Sequence, residues 1–175
     1  VLRQVKALQQ ADPDGRGPLT WVPLPVPLMA KLTTSGILSA ERALADGIDN
    51  RTQSVPAAEG RPAVRLELYR RQGLTGAVPA LLWIHGGGYV MGAVTNDDDW
   101  CCRVAAELDV QVVITNYRKA PEHPFPAALD DCFAALGWLI EHADELGVDP
   151  SRVMIGGNSA GGGLAAALAQ RAHDA

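Results

Sequence analysis

The stretch that most restricts the fold runs from Arg152 to Ala169. A short apolar run, Arg152-Val153-Met154-Ile155-Gly156, passes through Gly157-Asn158-Ser159-Ala160-Gly161 into a segment of glycine, alanine and leucine. A strand that turns at once into a helix needs one residue in a sparsely populated backbone conformation at the bend. It also needs neighbours without a Cβ, which would strike the adjoining strand or helix. Gly157 and Gly161 stand in those places around Ser159. The serine side chain is then exposed at a helix N-terminus, where unpaired N–H groups and the macrodipole favour negative charge.

The rest of the chain supplies a sheet for such a turn. Val64 to Arg70 alternates, with Val64, Leu66, Leu68 and Arg70 on one side and Arg65, Glu67 and Tyr69 on the other, as in a half-buried strand. Ala80-Leu81-Leu82-Trp83-Ile84 and Val110 to Thr115 are apolar runs of the kind found in strands covered on both faces. Thr95 or Asn96 can cap a helix that opens with Asp97-Asp98-Asp99 and carries Trp100, Val104 and Leu108 at a spacing of four. An acidic first turn suits the positive end of a helix, which accounts for the three aspartates without a metal. After Pro126, Leu129, Cys132, Phe133, Leu136, Ile140 and Ala143 recur at helical spacing up to Gly147. A third helix starts near Ser159, where Gly162, Gly163 and Ala165 to Ala167 allow close packing on the sheet. Strands alternating with helices predict an α/β fold with a mostly parallel sheet between two helical layers.

Residues 1–50 differ. Asp12-Pro13-Asp14-Gly15-Arg16-Gly17-Pro18 is a turn cluster, and Pro23, Pro25 and Pro27 interrupt the apolar stretch from Val22 to Leu32. Ser39 to Asn50, with Leu44 and Ile48 on one face, predicts a short amphipathic helix, so this part reads as a peripheral segment.

A second constellation follows the apolar run that ends at Ile84: His85-Gly86-Gly87-Gly88-Tyr89. Consecutive glycines let the backbone approach a bound molecule and point N–H groups into a cleft. Acyl transfer needs that arrangement, because its tetrahedral intermediate carries charge on the former carbonyl oxygen. Each donor typically contributes about 2.7–4 kcal/mol there. The His85 ring is expected to hold the glycine loop by hydrogen bonds rather than to act as a base. His123 and His142 read as surface or turn histidines. Glu122, Asp130 and Asp131 stand near Arg118 for ion pairing that fixes the loop, and Tyr89 and Trp100 suit either a pocket wall or the core. Gly161-x-Gly163-x-x-Ala166 imitates a dinucleotide fingerprint but lies within a helix rather than in the turn that opens it.

Composition excludes other classes. A formal charge of -5 gives no basic face for nucleic acid or anionic membrane. No apolar run approaches the roughly 20 residues of a membrane span. Cys101, Cys102 and Cys132 form no CxxC pair, so neither zinc nor a disulfide framework is expected, and the three read as small apolar filler in a reduced, cytoplasmic protein. No cofactor is expected, and a homo-oligomer is compatible with the sequence.

The chain resembles the hormone-sensitive-lipase-type esterases, the bacterial family IV carboxylesterases of the α/β-hydrolase superfamily. Three blocks carry the resemblance: His85 to Gly88, Tyr117-Arg118-Lys119-Ala120-Pro121-Glu122-His123-Pro124-Phe125-Pro126-Ala127-Ala128, and Gly157 to Gly162, in register over about residues 64–172. It implies an α/β-hydrolase fold, with residues 1–50 as a cap segment and residues 51–175 as the N-terminal half of the core domain. It implies Ser159 as the catalytic nucleophile, an oxyanion hole from the amides of Gly87, Gly88 and Ala160, and hydrolysis of short to medium acyl esters. Asn158 is a departure, since these proteins more often have a carboxylate there. The triad order in this fold is Ser, then Asp or Glu, then His. The residues after Ser159 fall on its own helix, which puts His173 and Asp174 about 20 Å away at 1.5 Å per residue. The histidine base and its carboxylate are therefore expected beyond residue 175. Two rivals accompany this reading: a ligand-binding relative without catalysis, and an amidase or deacetylase.

Overall fold

Five strands and four α-helices run through residues 47–58 and 60–175, which are the residues that the computed structural model describes. In chain order they are β1 (Ile48–Val55), β2 (Val64–Arg71), β3 (Val78–Ile84), a 3-10 turn (Val94–Asp97), α1 (Asp98–Leu108), β4 (Gln111–Thr115), α2 (Ala127–Glu141), α3 (Ala143–Leu146), β5 (Val148–Gly157) and α4 (Ala160–Asp174). The strands form one sheet in the order β1-β2-β4-β3-β5. β3 pairs in parallel with both β4 and β5, as strand–helix–strand connections require. β1 and β2 run antiparallel to each other, and β2 antiparallel to β4, so the sheet is mixed at this end.

Helices cover both faces. Leu66, Leu68, Leu82, Ile84 and Val113 face α2 and α4, meeting Cys132, Leu136, Leu139, Leu164 and Leu168 in the larger core. Tyr69, Val112 and Ile114 point the other way and meet Cys101, Cys102 and Ala105 of α1. Alternation along β4 sends Val112 and Ile114 to one face and Val113 to the other, so this central strand is buried on both. All three cysteines are buried filler, and burial pushes the Cys132 thiol up to about 12.

Several expectations need correction. β2 is not half-buried: Glu67 and Tyr69, on its supposedly open side, are fully buried. Glu67 is tolerated there because Thr52, Asn50 and Arg65 all donate to its carboxylate, and Tyr69 donates its hydroxyl to Asp98. Of the helix expected over Ser39 to Asn50, Ile48 to Asn50 are strand β1, and residues 39–46 lie outside the described residues, as does nearly all of the segment 1–50 expected to form a cap. α1 is not capped by Thr95 or Asn96; those residues belong to the 3-10 turn, and Asp97 stands at the N-cap without a side-chain cap bond. Its buried residues are Asp98, Cys101, Cys102 and Ala105, while Leu108 is 63% exposed. β3 is buried only at alternate positions, with Leu81 and Trp83 partly open. On α4 the close approach to the sheet belongs to Gly161, whereas Gly163, Ala166 and Ala167 are exposed.

Candidate active site

The register of β3 and β5 pairs Ile84 with Gly157. The segments that follow these parallel neighbours therefore leave the sheet side by side, His85 to Gly88 from one and Asn158-Ser159 from the other. The Asn158 amide donates to the Ile84 carbonyl at 3.3 Å and ties them together.

Ser159 is exposed and has φ 49° and ψ −119°, immediately before the first residue of α4. A non-glycine residue in such a region costs on the order of 1–3 kcal/mol, and it persists only where the surroundings over-determine it. Here they do. A Cβ on Gly161 would lie 2.0 Å from the Ile84 carbonyl oxygen and 2.6 Å from that of His85. One on Gly157 would lie 2.4 Å from the Gly161 carbonyl oxygen. α4 thus begins in backbone contact with the end of β3. The Gly161 amide donates to Asn158 O at 2.8 Å, and those of Gly162 and Gly163 donate to Ser159 O.

The facing loop runs at positive φ through Gly87 (131°), Gly88 (60°) and Tyr89 (65°), and again at Gly92 (100°). Gly87 O accepts from Val90 N at 3.1 Å and Met91 N at 3.0 Å. Among the described residues, no hydrogen bond engages the amides of Gly87, Gly88 or Ala160, the last being one of the four that a helix leaves without an internal partner.

His85 supports this loop from inside. It is fully buried, and its Nδ1 donates to Gly86 O at 2.7 Å. A carbonyl only accepts, so the proton sits on Nδ1. Its Nε2 is buried with no partner among the described residues, and burial lowers the imidazole pKa to about 4. Tyr117 stacks on the imidazole with 4.3 Å between centroids and donates its hydroxyl to His85 O at 2.9 Å. Lys119 lies 5.2 Å from the Tyr117 ring centroid, and burial lowers its pKa. Arg118 forks onto the buried Asp131, which also accepts from the Arg118 amide, so the loop after β4 is fixed to α2. Asp130 instead pairs with Arg171 on α4. No ion pair to Glu122 is found among the described residues, so its expected part in fixing the loop is not seen.

A cavity of about 230 Å³ lies between the two turns, lined among others by Ser159, Asn158, Gly86, Gly87, Asn96 and Asp97. None of the described histidines lines it: His123 lines a separate apolar cavity of about 330 Å³ with Tyr89 and Phe125, and His142 stacks on Trp138. Trp100 stacks on Trp83 at 3.9 Å, in the core rather than in a pocket.

The sequence family described as alpha/beta hydrolase fold matches residues 81–175. The chain belongs to the α/β-hydrolase fold family. Within it, the hormone-sensitive-lipase-like, family IV branch is the one that the relatives support. Esterase LipI of Mycobacterium tuberculosis is 48% identical over 96 residues, covering 55% of this chain and 30% of its own length. Carboxylic ester hydrolase LipN of the same organism is 44% identical over 128 residues, covering 73% of this chain and 33% of its own length. The solved structure of a bacterial heroin esterase superposes with a TM-score of 0.79 at 42% identity, over 85% of this chain and 47% of that one. The chain thus spans about a third of the curated relatives and about half of the solved neighbour.

Three features of this α/β hydrolase escaped sequence reasoning. Asp97 accepts from Trp83 Nε1 at 2.8 Å and borders the Ser159 cavity, although its place in the sequence reads as an ordinary acidic helix start. Tyr117 has no local signal beyond its block, because the contact with His85 spans 32 residues. Gly92 is required because a Cβ there would meet Gly86 O at 2.6 Å and His85 Nδ1 at 2.8 Å, a contact made only in the folded loop.

Proposed function

We propose that the protein is a serine carboxylic-ester hydrolase, with Ser159 as nucleophile and the amides of Gly87, Gly88 and Ala160 as the oxyanion site. The observation that carries this reading is Ser159 itself: a strained, exposed serine at the start of α4, sharing a cavity with the glycine loop. The names of relatives as esterases and carboxylic ester hydrolases agree with it.

The donors are aimed by bonds on the far side of their own peptide units. In a trans peptide the C=O and the N–H point in opposite directions. His85 Nδ1 holds Gly86 O, and so orients the Gly87 N–H; Val90 N and Met91 N hold Gly87 O, and so orient the Gly88 N–H. Preorganised donors of this kind need no rearrangement when charge develops.

In the reaction, Ser159 Oγ attacks the ester carbonyl while its proton passes to a general base. The oxyanion accepts from the three amides, the alcohol leaves with the proton, and water then releases the acid from the acyl-enzyme. A base histidine is expected outside the residues described here, since His85 is buried against Gly86 and the remaining histidines do not border the cavity. Short to medium acyl esters are the substrates proposed.

The test is hydrolysis of p-nitrophenyl acetate by the full-length polypeptide and by its Ser159→Ala variant. Turnover in the first and only background in the second is the expected outcome. Equal turnover in both would remove Ser159 from the chemistry.

A further inference from the structure

The cavity beside Ser159 is not an apolar slot. Asn96, Asp97 and Asn158 are among the residues that line it, and no Lys or Arg is found among the described residues that do. Trp83 Nε1 donates to one Asp97 oxygen, Oδ2, at 2.8 Å, and Trp83 is itself held by stacking on Trp100. The side chain is therefore anchored by one oxygen, while Oδ1 has no hydrogen-bond donor among the described residues. Asp97 also stands at the N-cap of α1, whose dipole opposes its charge. That opposition amounts to about half a positive charge. Against it stands the full charge of Asp97, the one charged residue among the described residues that line the cavity. That carboxylate outweighs the dipole, and the wall of the cavity is electronegative.

Resting on the esterase reading above, we propose that Asp97 determines specificity, so that the enzyme selects esters carrying a cationic ammonium group in the part that enters this cavity and disfavours anionic ones. A quaternary or protonated amine gains the attraction of a fixed carboxylate in a partly desolvated space, whereas a substrate carboxylate meets repulsion there. A cavity of about 230 Å³ has room for such a group. Asn96 and Asn158 add hydrogen-bonding groups without adding charge.

The experiment compares matched esters on the full-length polypeptide. Acetylcholine is set against its uncharged isostere, in which carbon replaces the quaternary nitrogen, so that the charge lies on the alcohol side. On the acyl side, the p-nitrophenyl ester of a trimethylammonio acid is set against its carbon isostere, and the p-nitrophenyl monoester of succinic acid against the butanoate. The expected result is a kcat/KM ratio of about tenfold in favour of the cation in at least one pair, with the succinate ester depressed by a similar factor. Asp97→Asn keeps an acceptor for Trp83 Nε1 and is expected to bring the ratios close to unity, while Asp99→Asn, which does not line the cavity, leaves them intact. Ratios near unity in the unaltered enzyme overturn the proposal even if Asp97→Asn fails to fold, as do ratios that survive in Asp97→Asn. Hydrolysis of neutral esters without charge preference overturns this proposal alone; failure to hydrolyse any ester overturns the esterase reading and this proposal with it.

Discussion

The turn after β3 and the turn after β5 leave parallel neighbours side by side and meet at one cavity, yet they reach their positive φ values differently. The first spreads them over Gly87, Gly88, Tyr89 and Gly92, mostly residues for which such angles carry little strain. The second concentrates them in Ser159, with glycines on both sides whose φ is not left-handed at all. The groups proposed to act explain the contrast. In the first turn they are backbone amides, so side chains can be dispensed with. In the second the acting group is a side chain, so the strain falls on that residue and its neighbours give up theirs. Gly157 and Gly161 are thus required by contact, whereas Gly88 is required by conformation and by what it would bind.

Substitutions can break that contrast. Gly161→Ala has the largest expected effect. Its Cβ would meet two backbone carbonyl oxygens that cannot yield, so the loss of stability should be at least about 3 kcal/mol, read from denaturant midpoints. Gly162→Ala, one position along, meets only the Gly157 carbonyl, its oxygen at 3.3 Å, and should change stability by less than about 1 kcal/mol. Equal losses at both positions would remove the contact argument.

Gly88→Val should divide the two effects the other way. A Cβ there meets only Val90 Cγ2 at 4.0 Å, so the fold should survive, while φ 60° is poorly suited to a branched residue. Displacement of one donor is expected to lower kcat by about 10²–10³. A folded variant with unchanged turnover would take the first turn out of the chemistry.

Acid sharpens the comparison at His85. The imidazole titrates near 4 in the folded protein against 6.5 when unperturbed. As pH falls below 6.5 the unfolded chain takes up a proton that the folded one refuses, so His85 contributes full stability above that pH. About 3 kcal/mol should be lost between pH 6.5 and 4. His85→Asn should flatten that part of the stability profile, and an unchanged profile would contradict a neutral, buried support.

The smallest expected effect is a gain. Ser159→Gly relieves the strain and should raise stability by about 1 kcal/mol while abolishing ester turnover. A loss of stability would mean that φ 49° is no burden to this residue.

Much of this arrangement was legible in the sequence, for reasons that differ by element. The turn at Ser159 declares itself because its steric demands are local: strand, glycine, serine, glycine, helix within ten residues. The glycine loop declares itself because three successive glycines after a buried strand have few other uses. β1 was invisible because Ile48–Val55 buries only its two ends, leaving mostly polar residues between, and takes its register from β2. The burial of Glu67 could not be read either, since Thr52, Asn50 and Arg65 reach it only across the paired strands. Asp97 was readable as a helix start but not as a cavity wall, because Trp83 on β3 and Ser159 after β5 meet it only in the folded chain.

The central claim is that Ser159, among the described serines, combines exposure with the amides proposed as oxyanion donors. A fluorophosphonate probe reports that combination directly, since phosphonylation needs both an activated hydroxyl and an anion site. The full-length polypeptide should take up one equivalent, and peptide mapping should find it on the segment containing Gly157 to Gly161. Labelling of a different serine, or ester turnover with Ser159 unlabelled, would contradict the account.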